Sequence, residues 1–148
     1  MTVNPVNDAP SFSLSGGITV EEEFTTTETV TATLDPIPAD ELSQVIKFSL
    51  VPASVDFADV VIDSLTGEVT ITSVPNGSGT QTFVVTADDG QSVDSIAVDS
   101  FTLTVTPLND APTFVTSGGV TVDEDFATTE TVTVTPDPVS TDEQGQTV

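Results

Sequence analysis

Phe101-Thr-Leu-Thr-Val-Thr-Pro-Leu-Asn-Asp-Ala-Pro-Thr-Phe114 holds two signals in one run, and together they decide the fold. Its first half alternates apolar residues with threonine, the period-two pattern of a strand with one buried face. Its second half, Pro107-Leu-Asn-Asp-Ala-Pro112, stops that strand. Proline fixes its own φ, donates no backbone hydrogen bond and pushes the residue before it toward extended geometry, so two prolines around Asn-Asp make poor core and a good joint. The same joint stands earlier as Pro5-Val-Asn-Asp-Ala-Pro-Ser-Phe12, at an offset of 102 residues.

Aligned at that offset, residues 2–46 match residues 104–148 with about 27 of 45 positions identical, so the chain is a tandem repeat rather than two chance copies of a short motif. The clearest block is Gly17-Ile-Thr-Val-Glu-Glu-Glu-Phe-Thr-Thr-Thr-Glu-Thr-Val-Thr31 against Gly119-Val-Thr-Val-Asp-Glu-Asp-Phe-Ala-Thr-Thr-Glu-Thr-Val-Thr133. The reading is one complete repeat plus part of a second, cut from something longer. Its divisions are 1–9 as the linker from a preceding repeat, 10–107 as the complete repeat, 108–112 as the next linker and 113–148 as the opening strands of the second repeat.

Period two dominates the repeat. Val30, Ala32 and Leu34 alternate with threonines; Ile46, Phe48 and Leu50 with Lys47 and Ser49; Val69 and Ile71, then Phe83, Val85 and Ala87, continue the pattern. Further short strands are expected near Phe12–Leu14, Ile18–Val20 and Val60–Ile62. Turn signals separate them at Leu65-Thr-Gly67, Pro75-Asn-Gly-Ser-Gly79 and Asp88-Asp-Gly90. About seven strands in roughly 100 residues with no helical period predict an all-β, Greek-key β-sandwich of the immunoglobulin-like kind, with a small barrel as the alternative.

Composition narrows function. Twenty-four acidic residues stand against one basic residue, Lys47, for a formal net charge of -23. That field repels nucleic acid and anionic membrane and favours cations, although it equally suits an acidic surface kept soluble. No run approaches the ~18 apolar residues of a membrane span, and the start lacks the pattern of a signal peptide. With no His, Cys, Tyr or Trp, and Lys47 as the one cation, neither a Ser-His triad nor a thiolate or imidazole zinc site is available, so catalysis is not expected. A paired-carboxylate glycosidase would lack the usual aromatic platforms for its sugar.

Three stretches carry a resemblance. Val61-Ile-Asp-Ser-Leu-Thr-Gly-Glu-Val69 is similar to a "F-x-I-D-x-x-T-G-x-I" hairpin, Phe83-Val-Val-Thr-Ala-Asp-Asp-Gly90 to a "V-x-A-x-D-G" strand end, and Leu103-Thr-Val-Thr-Pro-Leu-Asn-Asp-Ala-Pro112 to a closing strand with a "D-x-N-D-N-A-P" linker. The chain thus resembles the cadherin repeat, and more closely the bacterial cadherin-like repeats that occur in tandem in large surface and biofilm proteins. Val20-Glu-Glu-Glu23 falls where that family has its "V-x-E-N" calcium glutamate. The linker lacks the family's first Asp and is one residue shorter, and Ser73-Val-Pro-Asn76 replaces its "L-D-R-E" motif. Each departure removes carboxylates.

The resemblance implies one or two Ca2+ ions at the joints between repeats. One joint would combine Glu22, Asn109 and Asp110 with Asp137 and Asp142. The other would combine Asn7, Asp8, Asp35, Asp40 and Asp89 with a glutamate from a preceding repeat. Oxygen-rich loops of this kind suit calcium at about 10⁻⁴–10⁻³ M. Each group also has a plainer reading: an Asx-turn for Asn-Asp before Ala-Pro, a hairpin turn for Asp88-Asp-Gly90, a solvated strand face for Glu21 to Glu23 and Glu28, and a surface strand position for Lys47.

The expected function is that of a non-catalytic, calcium-binding spacer and cohesive module of an extracellular adhesin on a cell surface. Its partners would be neighbouring repeats and further copies of itself, through strand exchange or head-to-tail addition; the alternative is a carbohydrate-binding module. A partial second repeat would otherwise bury too little apolar surface to stay ordered.

Overall fold

The computed structural model describes residues 4–140 together with Glu143, and Asp142 lies outside the described residues. The chain is all-β and divides into two units, residues 1–107 and 108–148.

Among its described residues the first unit holds nine strands. β2 (Ile18–Glu21), β9 (Ile96–Thr106), β8 (Gly79–Asp88) and β5 (Lys47–Val51) form a four-stranded sheet in that order, and β3 (Glu28–Val30), β7 (Val69–Ser73) and β6 (Ala58–Ile62) form a three-stranded one. β1 (Phe12–Leu14) and β4 (Ala32–Leu34) pair as a small third sheet. All the pairings are antiparallel except β2 with β9, where Ile18 stands beside Leu103 and Glu21 beside Thr106.

Alternation decides which side of each strand closes the core. Val30, Val69, Ile71, Ala58 and Val60 on the three-stranded sheet meet Phe48, Leu50, Phe83, Val85, Phe101, Leu103 and Val105 on the four-stranded one in a single buried cluster, making a sandwich. Phe83 and Phe101, opposite each other in register, stack with centroids 5.2 Å apart, and Phe12 meets Phe48 edge-on at 5.6 Å. Such pairs add about 0.5–1.5 kcal/mol beyond their buried area. Outward positions carry threonine: Thr82 and Thr102 share a hydroxyl hydrogen bond of 3.0 Å across β8 and β9.

The segments expected near Phe12–Leu14 and Ile18–Val20 stand as β1 and β2, while the one expected strand of Val30, Ala32 and Leu34 is broken into β3 and β4, which gives nine strands among the described residues rather than about seven. The opening segment pairs with β4 as β1 and then crosses to β9 as β2, turning at Gly16, whose φ is +113°. Gly17 then passes so close to β9 that a Cβ there would lie 2.7 Å from the Thr102 carbonyl oxygen. The partner segment breaks at Thr31, where Ser15 binds both ways: its N–H donates to Thr31 O at 3.0 Å and its Oγ accepts from Thr31 N–H at 3.1 Å. Leu34, beyond that break, is exposed rather than buried as its alternation suggests.

The second unit contains one hairpin among its described residues, β10 (Phe114–Thr116) antiparallel to β11 (Val134–Pro136).

Candidate functional site

The first joint motif is fixed to the first unit by its side chains. Asn7 is half-buried; its Oδ1 accepts from Gln44 Nε2 at 2.6 Å, while its Nδ2 lies 3.0 Å from Asp89 Oδ2, 3.0 Å from Val93 O and 2.9 Å from Asp94 O. The amide has two hydrogens for these three oxygens. Asp89 is buried, and its Oδ1 also accepts from Gln91 N–H at 2.9 Å. Asp8 donates its backbone N–H to Oε1 of buried Glu41 at 2.6 Å, leaving its own side chain exposed. Five residues from three segments therefore converge: Asn7 and Asp8 from the linker, Glu41 and Gln44 from the turn after β4, and Asp89 from the end of β8.

Two residues expected here are placed elsewhere. Asp35 is committed to β1, its Oδ2 accepting from Ser11 Oγ at 2.5 Å and its N–H donating to Ser11 O at 2.9 Å. Asp40 is exposed in the turn, and its neighbour Glu41 is the carboxylate that turns inward. Among the described residues no three carboxylates are gathered closely enough to hold a metal by themselves. The donor set at Asn7 is nonetheless all oxygen once its amide is turned, which is the chemistry of a hard cation.

The residues proposed for the second joint fall in different units. Glu22 belongs to the first, where it is buried and its N–H donates to Thr106 O at 2.9 Å, closing the end of β2 onto β9. Asn109, Asp110 and Asp137 belong to the second. There Asp110 N–H donates to Oε1 of buried Glu143 at 2.5 Å, the same clamp as Asp8 with Glu41, at the same separation of 33 residues. Asn109 Nδ2 donates to Asp110 O at 3.2 Å, and Asp137 N–H donates to Thr113 O at 2.9 Å.

Glu41 and Gln44 were not among the expected residues. The signal was present: Asp40-Glu-Leu-Ser-Gln44 returns as Asp142-Glu-Gln-Gly-Gln146, keeping Asp, Glu and Gln while the residues between them change. Asp88 and Gly90 close an Asx bend, Gly90 N–H donating to Asp88 Oδ1 at 2.8 Å, at the start of the connection from β8 to β9, while Asp89 faces the linker. Lys47 is exposed in β5, beside Asp88 in register.

No family model matches the chain, and no curated protein matches it.

Proposed function

We propose that the chain is a non-catalytic, calcium-responsive repeat of an extracellular adhesin, serving as a spacer and cohesive module on a cell surface. The observation that carries this reading is the cluster at Asn7, where three oxygens surround one amide nitrogen. A surplus of acceptors over hydrogens in a chain of net charge -23 is a place where a cation relieves repulsion.

Asp89, the Asn7 side-chain oxygen and Asp8 would hold the ion, with a carboxylate from a neighbouring repeat completing the set. Calcium would supply a charge that ties linker and module together. Glu41 positions the linker without needing to touch the ion, since it accepts from Asp8 N–H, while Gln44, which donates to Asn7 Oδ1, would turn its own amide to accept from Asn7 Nδ2 once the ion takes that oxygen. In tandem, such joints would stiffen an array and make its adhesion depend on divalent cations.

The test is thermal unfolding with and without calcium. A ligand at 10–100 times its dissociation constant adds about 1.4–2.7 kcal/mol, which raises Tm by roughly 5–10 °C or more in a domain of this size. EDTA reverses the shift, and Asp89→Asn removes it. Superimposable melting curves in 10 mM calcium and in EDTA would leave a passive acidic spacer.

A second reading, glycan binding, draws on an open pocket of about 410 Å³ lined by Glu23, Phe24, Thr25, Thr26, Thr27 and Thr72, among others. Its hydroxyls and single aromatic ring suit a sugar. Binding to a glycan array that Thr26→Ala or Phe24→Ala abolishes would favour this reading, and an array without hits would favour the spacer.

A further inference from the structure

We propose that Asn76 is the acceptor of an N-linked sugar, and that the open pocket beside it seats the first sugar so attached. Among the chain's asparagines only this one heads an Asn-x-Ser/Thr triplet, Asn76-Gly77-Ser78. Such a triplet can be modified only where its asparagine stands on an exposed loop.

The turn that carries it meets that condition. β7 ends at Ser73 and β8 begins at Gly79, and between them Gly77 N–H donates to Val74 O at 3.0 Å. The glycines lie inward. A Cβ on Gly77 would stand 2.6 Å from Phe57 O, and one on Gly79 2.7 Å from the Phe57 ring, so the turn rests on Phe57 with no room for a side chain at either place. Asn76 is exposed, at φ +54°, in the left-handed region that asparagine tolerates better than most residues, and Ser78 is partly exposed. The acceptor amide is thus held out in solvent by a turn fixed from beneath.

A second observation names where the sugar goes. Pro75, the residue before the acceptor, lines the open pocket of about 410 Å³, together with Thr72 and Ser73 of β7. Phe24 supplies its ring, and Thr25 to Thr27 most of its hydroxyls. A pyranose offers hydroxyls to such a rim and an apolar C–H face to such a ring. Glu23 is the charged residue of the lining, so a neutral sugar suits it better than an acidic one. A sugar joined to Asn76 starts one residue from this pocket, and tethering gives it an effective concentration that a free sugar does not reach.

In the transfer, Asn76 Nδ2 attacks C1 of a glycosyl diphosphate. The bond from C1 to the diphosphate oxygen breaks as the Nδ2–C1 bond forms, the diphosphate leaves with the bonding pair, and the nitrogen gives up one of its two protons. The donor's diphosphate is carried by a nucleoside or by a polyprenyl lipid, and the acceptor's chemistry is the same for both. The inference goes beyond the adhesin reading and needs no calcium, so its melting curves are taken in EDTA.

The full chain is offered to two N-glycosyltransferases in parallel, one fed a nucleoside diphosphate hexose and the other a polyprenyl diphosphate oligosaccharide. An unstructured peptide containing Asn-Gly-Ser is the positive control. Mass spectrometry is expected to find sugar at Asn76 with at least one donor, and none in Asn76→Gln or Ser78→Ala; modification with one donor alone identifies the source. The sugar-bearing chain should melt roughly 4 °C or more above the unmodified one. Sugar-bearing and unmodified Phe24→Ala should melt together, and comparing each variant with its own unmodified form cancels the packing of Phe24 on the core. Thr25→Val/Thr27→Val, which removes hydroxyls and keeps the pocket's shape, should lose the gain in the same way. A chain that both enzymes leave unmodified while they modify the control peptide overturns the proposal. So does a sugar on Asn76 that leaves Tm unchanged, or that raises it as much in these variants as in the wild type.

Discussion

Glu41 is buried although it sits in a turn of an acidic chain, and its partner is the backbone N–H of Asp8, where the linker meets the module. Removing the carboxylate loses a charge-assisted, part-buried hydrogen bond, at about 1.5–3 kcal/mol. Glu41→Ala should lower the unfolding free energy measured in urea by about that amount, while Glu41→Gln, which retains an oxygen, loses less. The turn hid this residue from the sequence. Alternation tells inward from outward only along a strand, and between adjacent Asp40 and Glu41 the choice is made by the backbone of the turn. Asp63 is the opposite case, an exposed carboxylate whose role its own neighbours dictate. The N–H groups of Thr66, then Leu65, hold its pKa below the ordinary 3.8, since hydrogen bonds to the charged form favour it. A lowered folded value means the stabilisation is present above 3.8 and is lost as pH falls through the lower value. Wild type should therefore lose more stability than Asp63→Asn on acidification below that point, measured as the difference between their Tm profiles.

At the scale of the strand, what the repeat's sequence announced was every segment whose side chains alternate toward one core: β5 to β9 lie where the apolar period places them, and Phe83, Val85 and Ala87 are fully buried as the pattern requires. What it did not announce was the break at Thr31, or that β1 and β2 would pair in different sheets. Whether a strand stays in one sheet or crosses to another depends on what it meets, and the double glycine at 16–17 marks the crossing only once Thr102 is known to face it. A paired substitution tests this. Gly17→Ala forces backbone to move away from the Thr102 carbonyl and should cost about 1–3 kcal/mol. Gly119→Ala, whose Cβ would meet nothing within 4 Å, should leave the urea transition unchanged.

Over the whole molecule, charge gathers outside the strands. In the described strands acidic residues are confined to Glu21, Glu28, Asp59, Asp88 and Asp99, and the rest of the charge lies in turns, linkers and loops. Salt should therefore act on stability broadly, Tm rising between 0.05 and 1 M NaCl as self-repulsion is screened. The fold class was legible because alternation and turn residues agree along the complete repeat. The joint was legible only in part, since ligand placement depends on loops, and loops follow the modules they connect. The parallel pairing of β2 with β9 has a mechanical consequence. Tension applied through the chain at the two ends of the first unit draws these neighbours in opposite directions along their common axis, so the rungs from Ile18–Leu103 to Glu21–Thr106 share the load in shear instead of parting one after another. A module joined in this way should resist pulling along this axis far better than one whose rungs are loaded singly.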